Sequence, residues 1–250
     1  MQNRNALKKT VLLTAASAML SLVLVALPQA AVAQDRPGDP TAGGMQPGDY
    51  LRIGVGATVP INPQGSLRDW KTGTGLSVGY ENWQSGGSGG IGRVGFGISA
   101  AYSRLPIKQD QFAKDFTTVT VADATGHAGL LEIATNLRIR IPAPLVMPSI
   151  NIGLGFINWS PGEIHYTSIG GTTGSAKQQS RSGAELALGA SVDRDLFDRY
   201  ALFVEGAYVY GYTSYGSGFG TPTTICGSCD PLKNTTVATL RGGLRARIGR

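Results

Sequence analysis

The chain has 250 residues, of which 36 are glycine and only 15% are charged. An apolar fraction of 42% excludes an intrinsically disordered chain, because such chains lack the hydrophobic residues that a packed core needs. The glycines have no three-residue period, which excludes collagen. Two cysteines are too few for a disulfide-dense scaffold, and the low charge is unlike the surface of an ordinary soluble protein.

The first 33 residues predict a cleaved export signal. A basic start without acidic residues precedes an apolar run over 11–27, and Ala31-Val32-Ala33 supplies the small-residue pattern that signal peptidase recognises. An uncleaved membrane anchor is the alternative, since such a run just reaches across a bilayer. Removal of residues 1–33 takes away three cations and no acid, so the net charge falls from +6 to +3. Because no basic stripe with interleaved aromatic residues follows, we expect no nucleic-acid partner.

Residues 34–48 are rich in proline, glycine and polar residues and predict a flexible periplasmic leader. From residue 49 to residue 250 the dominant pattern is the alternation of apolar and polar residues that is typical of β-strands. Eight segments have this pattern: 51–61, 75–83, 91–104, 129–141, 150–156, 184–193, 202–212 and 238–248. Most are long enough to cross a bilayer at a tilt. The fold class predicted is therefore all-β, an eight-stranded antiparallel up-and-down transmembrane β-barrel.

The connections between these segments alternate strictly between short and long. The short ones lie at 84–90, 142–149 and 194–199, and the longest lie at 105–127, 160–182 and 211–235. Outer-membrane barrels have short periplasmic turns and long external loops. With the leader in the periplasm, every long connection falls on the external side, which supports the predicted topology and a location in the bacterial outer membrane.

The polar face of the segments is predicted to line the lumen. It is rich in glycine and serine, and all seven of its cations are arginine, the residue suited to fixed pairing with carboxylates in a confined space. The predicted lumen charge network comprises Arg52, Glu81, Arg93, Glu132, Arg138, Arg140, Glu185, Asp193, Glu205, Arg241, Arg245 and Arg247. Aromatic residues near the segment ends suit interfacial girdles: Trp83, Tyr102, Trp159, Tyr200 and Tyr212. A secreted soluble barrel or sandwich is the alternative.

With these features, residues 50–250 resemble the small eight-stranded outer-membrane barrels of the OmpA/OmpX-like superfamily. The resemblance implies outer-membrane lipid and the barrel-assembly machinery as partners. Members usually end in an aromatic residue that this machinery recognises. This sequence has Ala246-Arg-Ile-Gly-Arg250 instead, so Ile248 is the candidate replacement.

Cys226 and Cys229 lie in the last long connection and are predicted to form a local disulfide, as the oxidising cell envelope favours. A redox role needs a helix N-terminus in a thioredoxin-like setting, which the pattern lacks. Metal binding needs two further ligands, and no histidine or cysteine is close in sequence. We therefore expect no metal and no cofactor.

An enzymatic alternative centres on His165. Some eight-stranded barrels are lipid A deacylases, with a serine two residues after a histidine and a glutamate on the next strand. Here that position is Thr167, while Ser168 is one residue further and Glu185 lies in the sixth segment. An offset of one residue turns a strand side chain to the opposite face, so no catalytic residue is predicted.

The sequence thus predicts a non-enzymatic barrel with a charge-plugged lumen. Its long connections suit an envelope-integrity or surface-interaction role, with an extracellular ligand of unknown identity, because loops on a rigid scaffold commonly carry recognition. A small channel or porin is the first alternative function, and a lipid A-modifying enzyme is the second.

Overall fold

The computed structural model describes residues 47–61, 67, 69–84, 93–116, 119–141, 146–177, 180–197, 199–215 and 234–248. The predicted export signal and the leader up to residue 46 lie outside these ranges. The described part contains β1 (Gly48–Pro60), β2 (Gly73–Trp83), β3 (Val94–Pro106), α1 (Gln109–Asp115), β4 (Val121–Thr125), β5 (His127–Arg140), β6 (Met147–Pro161), β7 (Glu163–Ser168), β8 (Thr173–Lys177), β9 (Arg181–Phe197), β10 (Tyr200–Tyr215) and β11 (Asn234–Ile248).

Eight of these strands form a closed antiparallel barrel with the order β1-β11-β10-β9-β6-β5-β3-β2. The barrel closes where β1 pairs with β11, from Asp49 opposite Ile248 to Pro60 opposite Val237. The predicted eight-stranded antiparallel barrel is therefore confirmed. Several strands are longer than the sequence pattern indicates. β9, for example, has 17 residues, about 55 Å of strand at ~3.3 Å per residue, which exceeds an apolar band of about 25 Å even at a 45° tilt.

The end of the barrel that carries the long connections has more ordered structure than the sequence predicts. This end is called external here, and the opposite end periplasmic, after the predicted topology. The pattern predicts loops at 105–127 and 160–182, whereas these segments contain α1, β4, β7 and β8. The three short strands form a separate antiparallel sheet with the order β4-β7-β8, called here the rim sheet. It forms because Val121, Ala124 and Ile164 are buried in a core shared with the barrel interior. Most of the third long connection, 211–235, lies outside the described residues.

The barrel has an apolar outside and a polar inside. Apolar side chains on its outer face are exposed, with Ile53 at 57%, Val55 at 61% and Leu76 at 67%. The alternate positions on the same strands face inward, and Arg52 and Glu81 among them are buried. This arrangement follows from the alternation itself, since successive side chains of a strand point to opposite faces. Separately, no helix in the described part of the chain is long and apolar enough to cross a membrane.

Candidate functional site

The candidate functional site is the barrel lumen, whose periplasmic end has an aromatic floor. Tyr50, Trp83, Met147 and Ala201 are buried together there. The guanidinium of Arg140 lies 4.1 Å from the centre of the Trp83 ring, a distance at which a cation is attracted to the ring face. Trp83 also donates a hydrogen bond from Nε1 to Glu81 Oε2 at 3.0 Å. The floor thus joins an apolar layer to the charges above it.

Above the floor, two arginines and two glutamates form a closed square of ion pairs. Arg52 on β1 lies 3.2 Å from Glu81 and 3.1 Å from Glu205, between side-chain nitrogen and oxygen atoms. Arg138 on β5 lies 2.9 Å from Glu81 and 2.5 Å from Glu205. All four side chains are less than 10% exposed. Since each charge meets two opposite charges, the square compensates the desolvation that buried ions otherwise suffer.

A third carboxylate extends the square toward the periplasmic end. Asp193 Oδ2 lies 2.7 Å from Arg245 and 3.2 Å from Arg140, and Arg245 is also 3.0 Å from Glu81. The side chains of Asp193 and Arg245 are fully buried. Seven charged groups from β1, β2, β5, β9, β10 and β11 are therefore connected through the lumen. We call these seven the lower network: Arg52, Glu81, Arg138, Arg140, Asp193, Glu205 and Arg245.

A separate pair lies further toward the external side. Arg241 forms an ion pair with Glu132 across the barrel from β11 to β5. Glu185 is buried beside this pair, and its Oε2 has no hydrogen-bond partner among the described residues. Arg241 and the four arginines of the lower network thus lie among five carboxyl groups inside the barrel.

The remaining two residues of the predicted network lie near the periplasmic rim. Arg93 directly precedes β3, and its carbonyl accepts a hydrogen bond from the Arg140 backbone N–H. Arg247 donates from Nη2 to the Pro47 carbonyl at 3.1 Å. The structure thus brings nine of the twelve predicted residues into ion pairs with one another and places Glu185 beside them. Asn151, which the charge pattern could not reveal, also donates to Glu205 Oε2 at 3.3 Å.

A small cavity lies beside the ion pairs inside the barrel. This cavity, lined in part by Ser77, Ser99 and Asn136, measures about 20 Å³, roughly the room that one water molecule requires. Hydroxyl pairs fill the level above it, with Thr58 and Ser103 in contact at 2.7 Å between their oxygens. An eight-stranded barrel is about the size that side chains can just fill.

An apolar cap closes the external end, and sequence reasoning missed it. Leu105, Leu130, Ile157, Val209 and Val237 point into the barrel and are fully or almost fully buried. The cap is continuous with residues of the external connections and the rim sheet: Leu67, Trp70, Ile107, Phe112, Val121, Ala124 and Ile164. Trp70 meets Trp159 edge to face, with ring centres 5.7 Å apart. Ion pairs thus cross the lumen in its lower part, and apolar side chains pack across it above them.

Of the residues predicted to form aromatic girdles, the tyrosines are compatible with that prediction, and for the tryptophans it is wrong. Tyr102, Tyr200 and Tyr212 face outward and are 46–61% exposed. Trp83 and Trp159 are each 1% exposed, in the floor and in the cap. Both tryptophans share the parity of inward positions on their strands, so the alternation already assigns them to the interior. A Cβ at Gly95 would lie 2.7 Å from the Trp83 ring, so glycine at 95 makes room for it.

The residues of the enzymatic alternative do not come together. His165 is exposed on β7, Ser168 is buried with its hydroxyl accepting from Thr172 N at 3.1 Å, and Glu185 lies inside the barrel. Within the described residues no group of three or more histidine, cysteine, aspartate or glutamate side chains is arranged to hold a metal ion. Cys226 and Cys229 lie outside the described residues, so their pairing stays a prediction.

Comparison with known proteins identifies similar folds only. No protein-family model matches the chain, and no curated protein matches it. Neisserial surface protein A is 13% identical with a TM-score of 0.42, over 80% of this chain and 97% of that chain. OprG, an outer membrane protein from Pseudomonas aeruginosa, is 12% identical with a TM-score of 0.42, over 83% and 99%. Ail, the attachment invasion locus protein of Yersinia pestis, is 13% identical with a TM-score of 0.37, over 80% and 99%.

Proposed function

We propose that this protein is an outer-membrane β-barrel of a Gram-negative-type bacterium, exported by a cleaved signal peptide, with a closed lumen and no enzymatic activity. Its external structures serve envelope integrity or surface interaction, through a ligand that contacts residues 105–127, 160–182 or 211–235. Outer-membrane lipid is its immediate partner, and the barrel-assembly machinery inserts it. Loops held on a rigid scaffold suit recognition.

The distribution of polarity supports a place in the membrane. Val55, Leu76 and Leu154 are each at least 60% exposed on the outer face, whereas charged groups occupy the interior. Water would disfavour both features, because exposed apolar area and buried charge each cost free energy. Lipid around the barrel removes the first cost, and ion pairing inside it offsets part of the second.

The lower network carries the proposal of a closed lumen. Its ion pairs connect six of the eight barrel strands across the interior. An open aqueous pore requires a wider barrel of about 16 strands. The cavity of about 20 Å³ beside the square supports closure, and so does the apolar cap, since neither gives hydrated ions a path.

Planar-bilayer recording tests the proposal. We expect no steady ion conductance from the wild-type protein, after heat-modifiable migration on a gel has established that the barrel is folded. A reproducible open channel in that folded protein would refute the closed lumen and favour the channel function. Lipid A mass spectra with and without the protein test the absence of enzymatic activity. A loss of acyl chain mass that depends on the protein would refute it.

A further inference from the structure

A polar groove lies on the outside of the barrel, directly beneath the rim sheet. Its volume is about 690 Å³. The barrel contributes Thr74, Arg104 and His127, and the rim sheet contributes Thr125, Glu163 and His165. All six residues are exposed. None of these six side chains belongs to the charge network of the lumen, so the groove is considered as a separate site.

The groove lies at the level of lipid headgroups if the barrel sits in a membrane. Arg104 follows Tyr102 by two residues on the outer face of β3, and Tyr102 is 51% exposed. Thr74 pairs with Arg104 and precedes the exposed Leu76 by two residues on β2. Two residues of strand span about 7 Å, which at a 45° tilt is about 5 Å along the membrane normal. The groove thus lies about 5 Å beyond the exposed apolar side chains along the membrane normal. Lipid phosphate groups lie at this level, just outside the hydrocarbon core.

The groove offers hydrogen-bond donors to an anion. Arg104 Nη2 lies 3.0 Å from His127 Nδ1. Because a guanidinium only donates, Nδ1 is the acceptor, and the neutral ring therefore carries its proton on Nε2 as a further donor. Arg104 keeps its other N–H groups, and the geometry of guanidinium suits phosphate oxygens.

The single carboxylate of the groove is flanked by a cation. Glu163 pairs with Lys177 in the register of β7 and β8, and both side chains are exposed. Opposite charges that face each other across two strands attract. The other polar side chains of the groove are those of two threonines, two histidines and Arg104. Because all of them can donate hydrogen bonds, the groove favours an anionic ligand.

We infer that this groove binds a phosphate of an outer-leaflet glycolipid, with Arg104 and His127 as its principal contacts. The inference rests on the proposed membrane location. A lipid is the source of the phosphate because two groove residues, Thr74 and Arg104, each lie two positions along their strand from an exposed apolar or aromatic residue of the outer face. The acyl chains on the sugar of such a glycolipid would lie against these two residues, Leu76 and Tyr102.

The test compares binding of bisphosphorylated lipid A with binding of the same lipid A stripped of its phosphates. The folded full-length barrel is titrated with each lipid in a zwitterionic detergent, and the bound fraction is measured by native mass spectrometry. Arg104→Gln combined with His127→Gln removes the principal contacts. The matched control is Arg194→Gln, which removes an exposed arginine from the periplasmic end of β9.

We expect the double variant to bind bisphosphorylated lipid A at least about tenfold more weakly than wild type, because it loses hydrogen bonds to a charged phosphate. Arg194→Gln should bind like wild type, and the stripped lipid should bind weakly to all three proteins. Equal binding of both lipids to wild type would overturn the inference. Inorganic phosphate that competes at the affinity of the lipid would overturn the assignment of a lipid source.

Vesicle insertion separates this inference from the proposed function. The same proteins are refolded into phosphatidylcholine vesicles, and heat-modifiable migration reports insertion. A wild-type chain that inserts but does not distinguish the two lipids refutes the groove alone. A wild-type chain that fails to insert refutes the membrane location and, with it, the groove.

Discussion

Glu205 is the most informative position in the lumen, because one oxygen of its carboxylate meets three donors. Glu205 Oε2 is 2.5 Å from Arg138, 3.1 Å from Arg52 and 3.3 Å from Asn151. Glu205→Gln keeps the shape of the side chain and removes its charge. The substitution leaves Glu81 as the single carboxylate of the square, opposite two arginines.

We expect Glu205→Gln to lower the free energy of unfolding by about 3 kcal/mol. Loss of one partner from a buried ion pair costs about 3–5 kcal/mol, and the lower end applies here because Arg52 and Arg138 both keep Glu81, at 3.2 and 2.9 Å. This is a large part of a typical stability of about 5–15 kcal/mol. Urea unfolding in lipid vesicles measures the change through the fluorescence of buried Trp83 and Trp159.

Two comparisons make this prediction decisive. Glu163→Gln changes an exposed glutamate of the rim sheet, and such surface substitutions usually stay within about 0.5 kcal/mol. Adding Arg52→Gln to Glu205→Gln removes a cation that has lost one of its partners, so the double variant should lose less stability than the sum of the single losses. If Glu205→Gln unfolds like Glu163→Gln, the square does not stabilise the barrel and the reasoning fails.

Four further predictions concern other parts of the barrel. Ile53→Arg on the outer face should lower the free energy of unfolding by about 2–4 kcal/mol near the membrane midplane. Urea unfolding measures this loss against Ile53→Leu, and unchanged stability would mean that this face does not contact lipid. Glu132→Ala with Glu185→Ala leaves Arg241 without its carboxylates, so the barrel should lose stability and conduct ions in planar bilayers; wild-type stability would contradict the role of this pair. Trp159→Ala in the cap should cost about 3–5 kcal/mol, and a cost near zero would show that the cap does not stabilise the barrel. On intact cells, protease should cut only within 105–127, 160–182 or 211–235, and labelling of a cysteine introduced at 84–90 would reverse the topology.

The barrel itself could be predicted because its signal is local and repeated. Alternation at Arg52, Ile53 and Gly54 assigns each side chain to a face without knowledge of the neighbouring strand. Each further strand adds an independent instance, and the alternation of connection lengths sets the topology. The same logic identified the interior charges, since inward parity and charge are both visible in the sequence.

The ion-pair partners could not be predicted in the same way. Glu81 on β2 meets Arg138 on β5 and Arg245 on β11 across the lumen. These contacts depend on the tilt and stagger of the strands in the closed barrel. The inward or outward position of a residue in its strand gives no information about either. For Trp83 and Trp159 two sequence signals disagree, because strand parity predicts the inside and the association of tryptophan with membrane interfaces predicts the outside. The structure agrees with strand parity.

The cap was missed because its residues are apolar at positions of inward parity. Val209 and Val237 break the rule of a polar lumen. That exception becomes meaningful only once β4, β7 and β8 are known to pack above them. The rim sheet consists of strands of five or six residues, too short for a clear period, and its pairing joins segments far apart in sequence.

We expect the cap and the lower network to stabilise the barrel independently, because their described contacts share no residue. On β6, Asn151 beside Glu205 and Trp159 in the cap are eight positions apart, about 27 Å of strand at ~3.4 Å per residue. Effects of substitutions separated by more than about 10 Å without shared partners usually add. The stability losses of Glu205→Gln and Trp159→Ala should therefore sum in the combined variant. A barrel sealed by one continuous packed core would instead give a combined loss that differs clearly from that sum.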